Sequence, residues 1–294
     1  MIGVIGGSGL YGLDDLKVIE TVNPETPWGF PSAPGIVLAE TSAGTRVAFL
    51  ARHGKGHYLN PSEVNSRANI AALKHVGCKV ILSFSAVGSL REEIAPKHFV
   101  IPSQIIDRTK GIRPSTYFEG GLVAHTTFAD PFDSSLRDLV FKVAQEEAGE
   151  VVFHKDKTLI CMEGPVFSTR AESLMYRSFG GDLINMSAIP ETKLAREAEL
   201  PYVMICMSTD YDAWRESEEG VNVTEVMETM QTNSKNAKAF LGKLIERVAS
   251  ALEAGSLASV NALQGSMKFA CVTGKEQRST KVVEKLNFIL PGYY

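Results

Sequence analysis

Two aspartates separated by one residue, Asp210 and Asp212, follow an apolar run that predicts a buried strand over 202–207. If the backbone stays extended through them, both side chains point to the same side. Burial of two like charges raises the pKa of at least one carboxyl. That acid could protonate a leaving nitrogen while the other carboxylate accepts a hydrogen bond from an amino group. The alternative is a solvated acidic loop.

Polar or glycine-rich clusters follow directly on six predicted strands. In open α/β sheets, ligands bind beyond the carboxyl ends of the strands, so we expect the clusters to converge on one site. They are Gly6 to Gly9, Arg52 with His53, Ser85 to Ser89, Glu163 to Ser168, Met186 with Ser187, and Thr209 to Asp212.

Three of these clusters carry groups suited to an anion. The run from Gly6 to Gly9 offers backbone N–H groups and the Ser8 hydroxyl, which together could hold a phosphate oxygen. Arg52 and His53 add a forked cation and a titratable imidazole. The small residues from Ser85 to Ser89 let backbone donors approach an anion or a sugar. Ordinary tight turns and solvated strand ends remain alternatives for each cluster.

Two other chemistries compete for these residues. Gly7 to Gly12 match G-x-G-x-x-G, the pattern of dinucleotide-binding domains. That fold needs a helix and then a second strand ending in an acidic residue, whereas Pro and Gly residues interrupt the region 24–31. His53 and His57 have the spacing of a metal-binding pair. No third ligand on a helix accompanies them, so we expect no metal.

The elements that position these residues follow from apolar runs and helix-end signals. Strands are predicted over 2–5, 46–50, 80–84, 99–106, 158–162, 182–185 and 202–207. Helices are predicted over 65–76, over 135–148 and from Asn222 towards Ala254, each followed by glycine. Val223, Val226, Met227 and Met230 form a stripe on the last helix that is more typical of core than of a pocket wall.

The alternation of strands and helices predicts an α/β fold. No repeat or linker divides the 294 residues, so a single domain over 1–294 is expected. The less periodic stretch 256–281 is interpreted as a mobile excursion.

Composition restricts the classes of function. Apolar residues make up 44% and charged residues 22%, which is typical of a soluble globular protein. A net charge of -4 disfavours a nucleic-acid partner bound through a global basic field, so the partner is expected to be a small molecule. The first residues lack the basic and long apolar regions of a signal peptide, no 18 apolar residues run together, and the four cysteines lie far apart. We therefore expect a cytoplasmic protein without a membrane partner.

Taken together, the motifs resemble the trimeric purine nucleoside phosphorylase family, and within it the 5′-methylthioadenosine phosphorylase branch. The resemblance extends from Met1 to about Leu252 and is specific because the motifs share order and spacing. They are Gly6-Gly7-Ser8-Gly9-Leu10, Leu50-Ala51-Arg52-His53-Gly54, Ala68-Asn69-Ile70, Gly88-Ser89-Leu90-Arg91-Glu92-Glu93-Ile94, Glu163-Gly164-Pro165, Phe167-Ser168, Arg170-Ala171-Glu172-Ser173, Ile184-Asn185-Met186, Pro190-Glu191 and Thr209-Asp210-Tyr211-Asp212.

The resemblance implies a nucleoside phosphorylase fold, with a mixed central β-sheet flanked by helices. It also implies a homotrimer that cleaves a nucleoside with phosphate as co-substrate and no metal or organic cofactor, in methionine and purine salvage, in the cytoplasm and also in the nucleus. The residues that would hold phosphate are Ser8, Arg52, His53, Ser85, Ala86 and Ser187. Those that would bind the nucleoside are Met186 under the sugar, Phe167 against the base, Asp210 and Asp212 on the purine edge, His125 donated by a neighbouring subunit, and Ile289 beside it. Ser168 and Val223 occupy the positions that set substrate preference.

Two departures and two rival functions accompany this resemblance. Ser8 and Ser187 stand where many relatives have threonine, and 256–281 does not align. A phosphorylase for inosine, guanosine or methylthioinosine would share the fold, but the pair of Asp210 and Asp212 favours a 6-amino substrate. The rival from another class is a non-catalytic nucleotide-binding or NAD-binding protein.

Overall fold

The computed structural model describes residues 1–7, 10, 16–215 and 223–294. Within these ranges the chain forms nine strands, seven α-helices and two 3₁₀ turns, the turns at Ser266–Phe269 and Lys275–Gln277. The strands are β1 (Ile2–Gly6), β2 (Lys17–Val22), β3 (Ile36–Glu40), β4 (Arg46–Ala51), β5 (Val80–Ser89), β6 (Phe99–Arg108), β7 (Phe153–Met162), β8 (Leu183–Asn185) and β9 (Tyr202–Asp210). The helices are α1 (Ser66–His75), α2 (Ser134–Glu147), α3 (Arg170–Ser178), α4 (Ala188–Glu197), α5 (Val223–Glu253), α6 (Ala258–Leu263) and α7 (Thr280–Leu286).

The described strands form one mixed sheet in the order β2-β3-β4-β1-β5-β8-β7-β6-β9. Because β9 also pairs with β5, the last five strands close into a ring, and β1 to β4 extend from its β5 side. Strands β1, β4, β5 and β9 run parallel where they pair, whereas β8 is antiparallel to β5 and β6 to β9. The predicted α/β fold with a mixed central sheet is confirmed.

Apolar layers cover both faces of the sheet. On one face α1, α4 and the C-terminal segment pack against the strands, with Ile70 and Leu73 fully buried. On the other face α2, α5 and α6 do the same, with Leu241 and Leu244 fully buried. Complete burial of such a side chain contributes about 1.5–3 kcal/mol. The sheet that carries the functional residues is therefore held rigidly between two helical layers.

Helix ends follow the signals in the sequence. Asn65 caps α1 by accepting a 3.3 Å hydrogen bond from the Ala68 amide, and Gly77, at φ +92°, follows it. Helix α2 begins one residue earlier than predicted because Asp133 caps it, accepting a 2.9 Å bond from the Leu136 amide. The predicted cap of the long helix, Asn222, lies outside the described residues.

Strands β2 and β3 are absent from the sequence prediction and form an antiparallel hairpin at the edge of the sheet. Most of β2 is exposed, so it lacks the apolar run that marks the other strands. The hairpin also bears on the NAD-binding alternative, because the strand that follows β1 in the chain does not pair with it. Most of the motif 7–12 lies outside the described residues.

The stretch 256–281 packs against the rest of the chain, contrary to its interpretation as an excursion. The Glu199 carboxylate accepts hydrogen bonds from the amides of Gly265 (2.9 Å) and Met267 (2.7 Å). Met267 is fully buried, and the Val272 amide donates to the Val123 carbonyl at 2.9 Å. Backbone hydrogen bonds to one buried carboxylate are not visible in hydrophobic periodicity.

No helix of the described residues has the length and apolar character needed to cross a membrane.

Candidate active site

A cavity of about 390 Å³ opens where β4, β5, β7, β8 and β9 end, and α5 closes one side. Five of the six clusters predicted to converge contribute to its wall, which confirms that part of the prediction. The lining residues are Arg52, His53, His57, Pro61, Ser85, Ala86, Val87, Gly88, Met162, Pro165, Phe167, Ser168, Ile184, Asn185, Met186, Ser187, Thr209, Asp210, Asp212, Val226, Met227 and Met230.

An antiparallel strand pair, which the sequence analysis did not predict, helps to bring the clusters together. Gly88 pairs with Ile184 across the antiparallel contact between β5 and β8. The chain that leaves β8 therefore runs back along β5 and brings Ser187 beside Ser85. The long strand β5 thus serves both ends of the cavity, with Ser85 at one end and Gly88 at the other.

Small hydroxyl and amide groups gather at the first end. The Oγ atoms of Ser85 and Ser187 lie 3.4 Å apart, and the Nδ2 of Asn185 donates to Ser85 at 3.2 Å. Ser187 precedes α4, yet its side chain makes no capping hydrogen bond. Its hydroxyl lines the cavity and can donate either to Ser85, whose own hydrogen goes to the Ala86 carbonyl oxygen, or to a ligand. Ala86 lines the same end.

Arg52 lies beneath this end and is 1% exposed. Its Nε donates to Glu191 at 2.6 Å, its Nη2 to Glu191 at 2.8 Å and to Ser83 at 2.6 Å, and its Nη1 to the Phe84 carbonyl at 3.0 Å. Among the described residues, these bonds leave one Nη1 hydrogen that a ligand could accept. The charge of Arg52 is balanced by Glu191, so a dianion at this end needs further positive charge or a proton.

Glu191, which the sequence analysis contains only within the motif Pro190-Glu191, is part of the site through its contact with Arg52. Besides Arg52, its Oε1 accepts hydrogen bonds from Ser83 (2.8 Å) and Tyr202 (2.6 Å). Burial opposes its ionisation, but the Arg52 charge and these bonds hold the pKa of Glu191 below its ordinary value. The pair of Arg52 and Glu191 therefore stays ionised inside the protein.

Glycine is required where β1 leaves the sheet above Arg52. A Cβ on Gly7 would lie 2.5 Å from the Phe84 carbonyl oxygen and 2.9 Å from Nη1 of Arg52. Only glycine lets the chain pass this close to the guanidinium. Ser8, predicted to hold phosphate, follows immediately and lies outside the described residues.

The imidazole of His53 is buried and stacks on His57, with ring centroids 4.4 Å apart. Its Nδ1 lies 2.9 Å from the Leu59 carbonyl oxygen, so Nδ1 carries the hydrogen and Nε2 is left as the acceptor. Burial and the nearby charge of Arg52 lower the pKa of His53 to about 4. At neutral pH, His53 therefore presents an unprotonated nitrogen.

The two aspartates stand at the other end of the cavity, next to Gly88. A Cβ at Gly88 would lie 3.3 Å from Oδ2 of Asp210 and 3.4 Å from Cβ of Asp212. Thr209 donates to Oδ1 of Asp210 at 2.5 Å. Asp210 ends β9 and Asp212 lies in the following turn, so their proximity arises from the turn as well as from strand alternation.

Asp212 is 5% exposed, and its Oδ2 makes no hydrogen bond with the residues that the structure describes. Burial raises the pKa of Asp212. A buried carboxylate oxygen without a donor costs free energy, which a ligand N–H could recover. The turn around it is fixed by Trp214, whose indole N–H donates to the Ser89 carbonyl at 2.9 Å, and by Arg170, which donates to the Ala213 carbonyl at 2.9 Å.

Apolar side chains connect the two ends. Met186 borders the cavity next to Gly164, and Phe167, 40% exposed, stands at its rim. Ser168 is buried and donates to the Met162 sulfur at 3.4 Å. The predicted nucleoside contacts Met186 and Phe167 therefore both line this cavity.

The stripe on the long helix lines the cavity, which corrects its interpretation as ordinary core. Val226, Met227 and Met230 all face the cavity, and Met227 is half exposed. Val223 begins α5, but its side chain lies outside the described residues. Periodicity identifies the apolar face of a helix without saying whether protein or ligand covers it.

His125 and Ile289 do not line this cavity. His125 is exposed, and its amide donates to the Ala270 carbonyl at 2.9 Å. Ile289 is 1% exposed and belongs to the core beside α1 and α4, so its side chain is not available to a ligand in this chain. Ile289 thus does not reach the cavity of its own chain, and its place beside His125 at the 5′ end of the pocket stays a prediction. Among the described residues, no three His, Cys, Asp or Glu side chains meet in a way that could hold a metal ion.

Comparison with known proteins identifies the family of the chain. The model of the Phosphorylase superfamily matches residues 1–246, and the chain belongs to this superfamily.

Within the superfamily, the chain is similar to proteins named S-methyl-5′-thioadenosine phosphorylase. It is 52% identical to that of Coprinopsis cinerea, covering 100% of this chain and 97% of the relative, and 53% identical to that of Yarrowia lipolytica, covering 100% and 93%. Among solved structures, a methylthioadenosine phosphorylase from an antarctic soil metagenomic library has a TM-score of 0.88 at 42% identity, covering 99% of this chain and 98% of the other. The methylthioadenosine phosphorylase of Schistosoma mansoni in complex with adenine has a TM-score of 0.83 at 32% identity, covering 92% and 98%.

Proposed function

We propose that this chain catalyses the phosphorolysis of S-methyl-5′-thioadenosine to adenine and 5-methylthioribose 1-phosphate. One observation carries the proposal: a single cavity has serine hydroxyls and a buried arginine at one end and two aspartates at the other. Its apolar middle suits a methylthioribose. The similarity to proteins of this name across the whole chain supports the same substrate.

The reaction follows from this arrangement. A phosphate oxygen attacks the anomeric carbon as the bond from that carbon to purine N9 breaks, and the bonding electron pair moves into the purine. The place of Asp210 in the motif Thr209-Asp210-Tyr211-Asp212 assigns it, in its protonated form, as the donor to N7, so adenine leaves as a neutral base. The raised pKa of Asp212 makes that carboxyl the alternative donor, and the Asp210→Asn and Asp212→Asn variants distinguish the two. Proton transfer by a positioned acid accelerates such a step by roughly 10²- to 10⁴-fold. No metal or organic cofactor is part of the proposed step.

Asp212 is proposed to recognise the 6-amino group. Its Oδ2, which makes no hydrogen bond with the described part of the chain, accepts an N–H, whereas the oxygen of a 6-oxopurine would face it as a second acceptor. A site built around a buried acceptor discriminates strongly against a ligand that lacks the donor. This supports methylthioadenosine over inosine, guanosine and methylthioinosine.

Phosphate is proposed to bind at the serine end. The Ser187 hydroxyl and an Nη1 hydrogen of Arg52 are the proposed donors there, and Ser8 and the Ala86 backbone are expected to complete the set. The Ser85 hydroxyl donates to the Ala86 carbonyl oxygen at 3.0 Å and is proposed to turn to phosphate when it binds. His53 presents an acceptor nitrogen at neutral pH, so it either binds the hydroxyl of a protonated phosphate or takes up a proton itself. Holding phosphate in line with the sugar supplies much of the remaining acceleration.

The protein is proposed to be a homotrimer in which His125 of one subunit closes the 5′ end of the cavity of its neighbour. Its proposed location is the cytoplasm and the nucleus. In support, His125 is exposed and lies beside the exposed apolar side chains of Val123, Phe269 and Val272. Light scattering after size-exclusion chromatography tests the assembly, and monomeric protein of full activity would refute it. His125→Ala should raise KM for methylthioadenosine more than KM for phosphate.

Chromatography of the reaction products tests the function. Purified protein is incubated with methylthioadenosine, adenosine or inosine, each with and without phosphate. We expect free adenine from methylthioadenosine only when phosphate is present. Base released without phosphate would indicate a hydrolase, and no release under any condition would favour the nucleotide-binding alternative. A thermal shift on adding NAD would favour the dinucleotide-binding alternative.

A further inference from the structure

Arg113 is a buried arginine that does not line the cavity, yet it contacts two of the segments that do. It is 6% exposed and lies in the connection between β6 and α2. Its Nη1 donates to the carbonyl oxygens of Met186 at 2.6 Å and Ile189 at 2.8 Å. Its Nε donates to the Glu163 carboxylate at 2.9 Å, and its Nη2 to the Glu163 carbonyl oxygen.

These bonds join the chain that leaves β7 to the chain that leaves β8. The first of these continues from Glu163 to Phe167 and Ser168, on the base side of the cavity. The second carries Met186 and Ser187, on the sugar and phosphate side. One rigid, planar guanidinium therefore fixes the separation of the two walls between which the glycosidic bond would lie.

Glu163 holds Arg113 in place and extends the connection to a third segment. Its Oε2 accepts a 2.6 Å hydrogen bond from the Lys110 amide, and its Oε1 accepts one from the Ser62 hydroxyl. Ser62 follows Pro61, which also lines the cavity. Arg113 Nε also donates to the Ser62 hydroxyl at 3.2 Å, so backbone, carboxylate and hydroxyl oxygens determine its place in the structure from several directions at once.

We infer that Arg113 is a positioning residue of this active site: through its bonds to the backbone of Met186, Ile189 and Glu163, it sets the sugar and phosphate wall against the base wall. The inference rests on the proposed function. Misplacement of reacting groups by about 1 Å can cost on the order of a hundredfold in rate. Loss of Arg113 should therefore reduce kcat more than it weakens the binding of adenine, which needs the base wall alone.

Two variants test this role. In Arg113→Lys the charge stays opposite Glu163, but one ammonium group cannot reach the carboxylate and both carbonyl oxygens. The double variant Arg113→Met with Glu163→Gln leaves no unpaired buried charge, and the side-chain amide of the introduced glutamine can still bond Lys110 and Ser62. The control is Arg137→Lys, which alters another buried arginine, paired with Asp156 and outside the cavity lining.

For each protein, kcat is measured with methylthioadenosine and phosphate, and calorimetry gives the affinity and stoichiometry of adenine. We expect kcat per adenine-binding site to fall about ten- to a hundredfold in both Arg113 variants, while the adenine Kd changes by less than about threefold. The control should keep both values. An Arg113 variant in which activity and adenine stoichiometry fall together, with kcat per site unchanged, would show a merely structural role and overturn the inference.

The same experiment separates this inference from the proposed function. If the unsubstituted protein releases no adenine in the presence of phosphate, the proposed function fails and the positioning role falls with it. If the unsubstituted protein is active and the Arg113 variants keep its kcat per site, only the positioning role is wrong.

Discussion

Replacing Asp212 by asparagine tests the recognition of the 6-amino group. The substitution keeps the size of the side chain and removes the negative charge. Oδ2 of Asp212 is buried and makes no hydrogen bond with the described residues, so the substrate amino group would be its donor. A hydrogen bond to a charged group contributes about 1.5–3 kcal/mol, which corresponds to roughly 10- to 150-fold in kcat/KM.

The assay compares kcat/KM for methylthioadenosine with that for methylthioinosine, which differs in carrying a 6-oxo group. In Asp212→Asn we expect the roughly 10- to 150-fold loss only for the amino substrate, because the asparagine amide can donate to a 6-oxo oxygen. The control, Asp138→Asn, removes the charge of an aspartate that pairs with Lys155, outside the cavity lining. Equal losses for both substrates would refute the assignment of Asp212 to the amino group.

Three further predictions concern proton transfer, anion binding and stability. Asp210→Asn should lower kcat for methylthioadenosine by about 10²- to 10⁴-fold with a smaller change in KM, and near-normal single-turnover rates would remove Asp210 from the acid role. The inhibition constant of sulfate, a competitor of phosphate that carries no proton, should fall as the pH falls from about 7 to about 5. The reason is that a bound dianion favours protonation of His53, whose pKa is about 4 in the free site. An inhibition constant that does not change with pH, or the same pH trend in His53→Gln, would contradict this. Burial raises the pKa of Glu197 to about 7, so the folded chain retains a proton that the unfolded chain releases above about 4.5. The free energy of unfolding should therefore fall by on the order of 3 kcal/mol as the pH rises from about 4.5 to about 7. Thermal unfolding of Glu197→Gln should lack this fall, since the amide can still bond Thr116 and the Tyr117 amide, and parallel pH profiles for the two proteins would exclude the effect.

Much of the site was predictable because local patterns place it. An apolar run followed by small or polar residues predicts a strand end at a binding edge, and this holds for Arg52 and Asp210, whereas β5 continues past Ser85 to Ser89. The helix ends are equally local, since Asn65 needs only its own helix to act as a cap. These features need no knowledge of which strands are neighbours.

The remainder depends on partners that are distant in the chain. Glu191 pairs with Arg52 across 139 positions, and Arg113 reaches Met186 across 73. Neither pairing leaves a trace in composition or periodicity. The antiparallel contact of β8 with β5, which brings Ser187 to Ser85, is also a consequence of topology rather than of any one segment.

Burial of individual side chains was the hardest property to foresee. Met227 and Ile289 are both apolar. Met227, in α5, lines the cavity, whereas Ile289, near the C-terminus, lies in the core. The difference is set by what packs on each side chain in the folded protein. An apolar pattern indicates that a residue is covered without identifying what covers it.

The central claim, attack of phosphate on the sugar opposite the paired aspartates, is tested most directly with ¹⁸O-labelled phosphate and methylthioadenosine, followed by mass spectrometry of the sugar product. We predict a 5-methylthioribose phosphate that retains every labelled oxygen, formed in equal amount with adenine. Free 5-methylthioribose carrying an oxygen from water would contradict the claim.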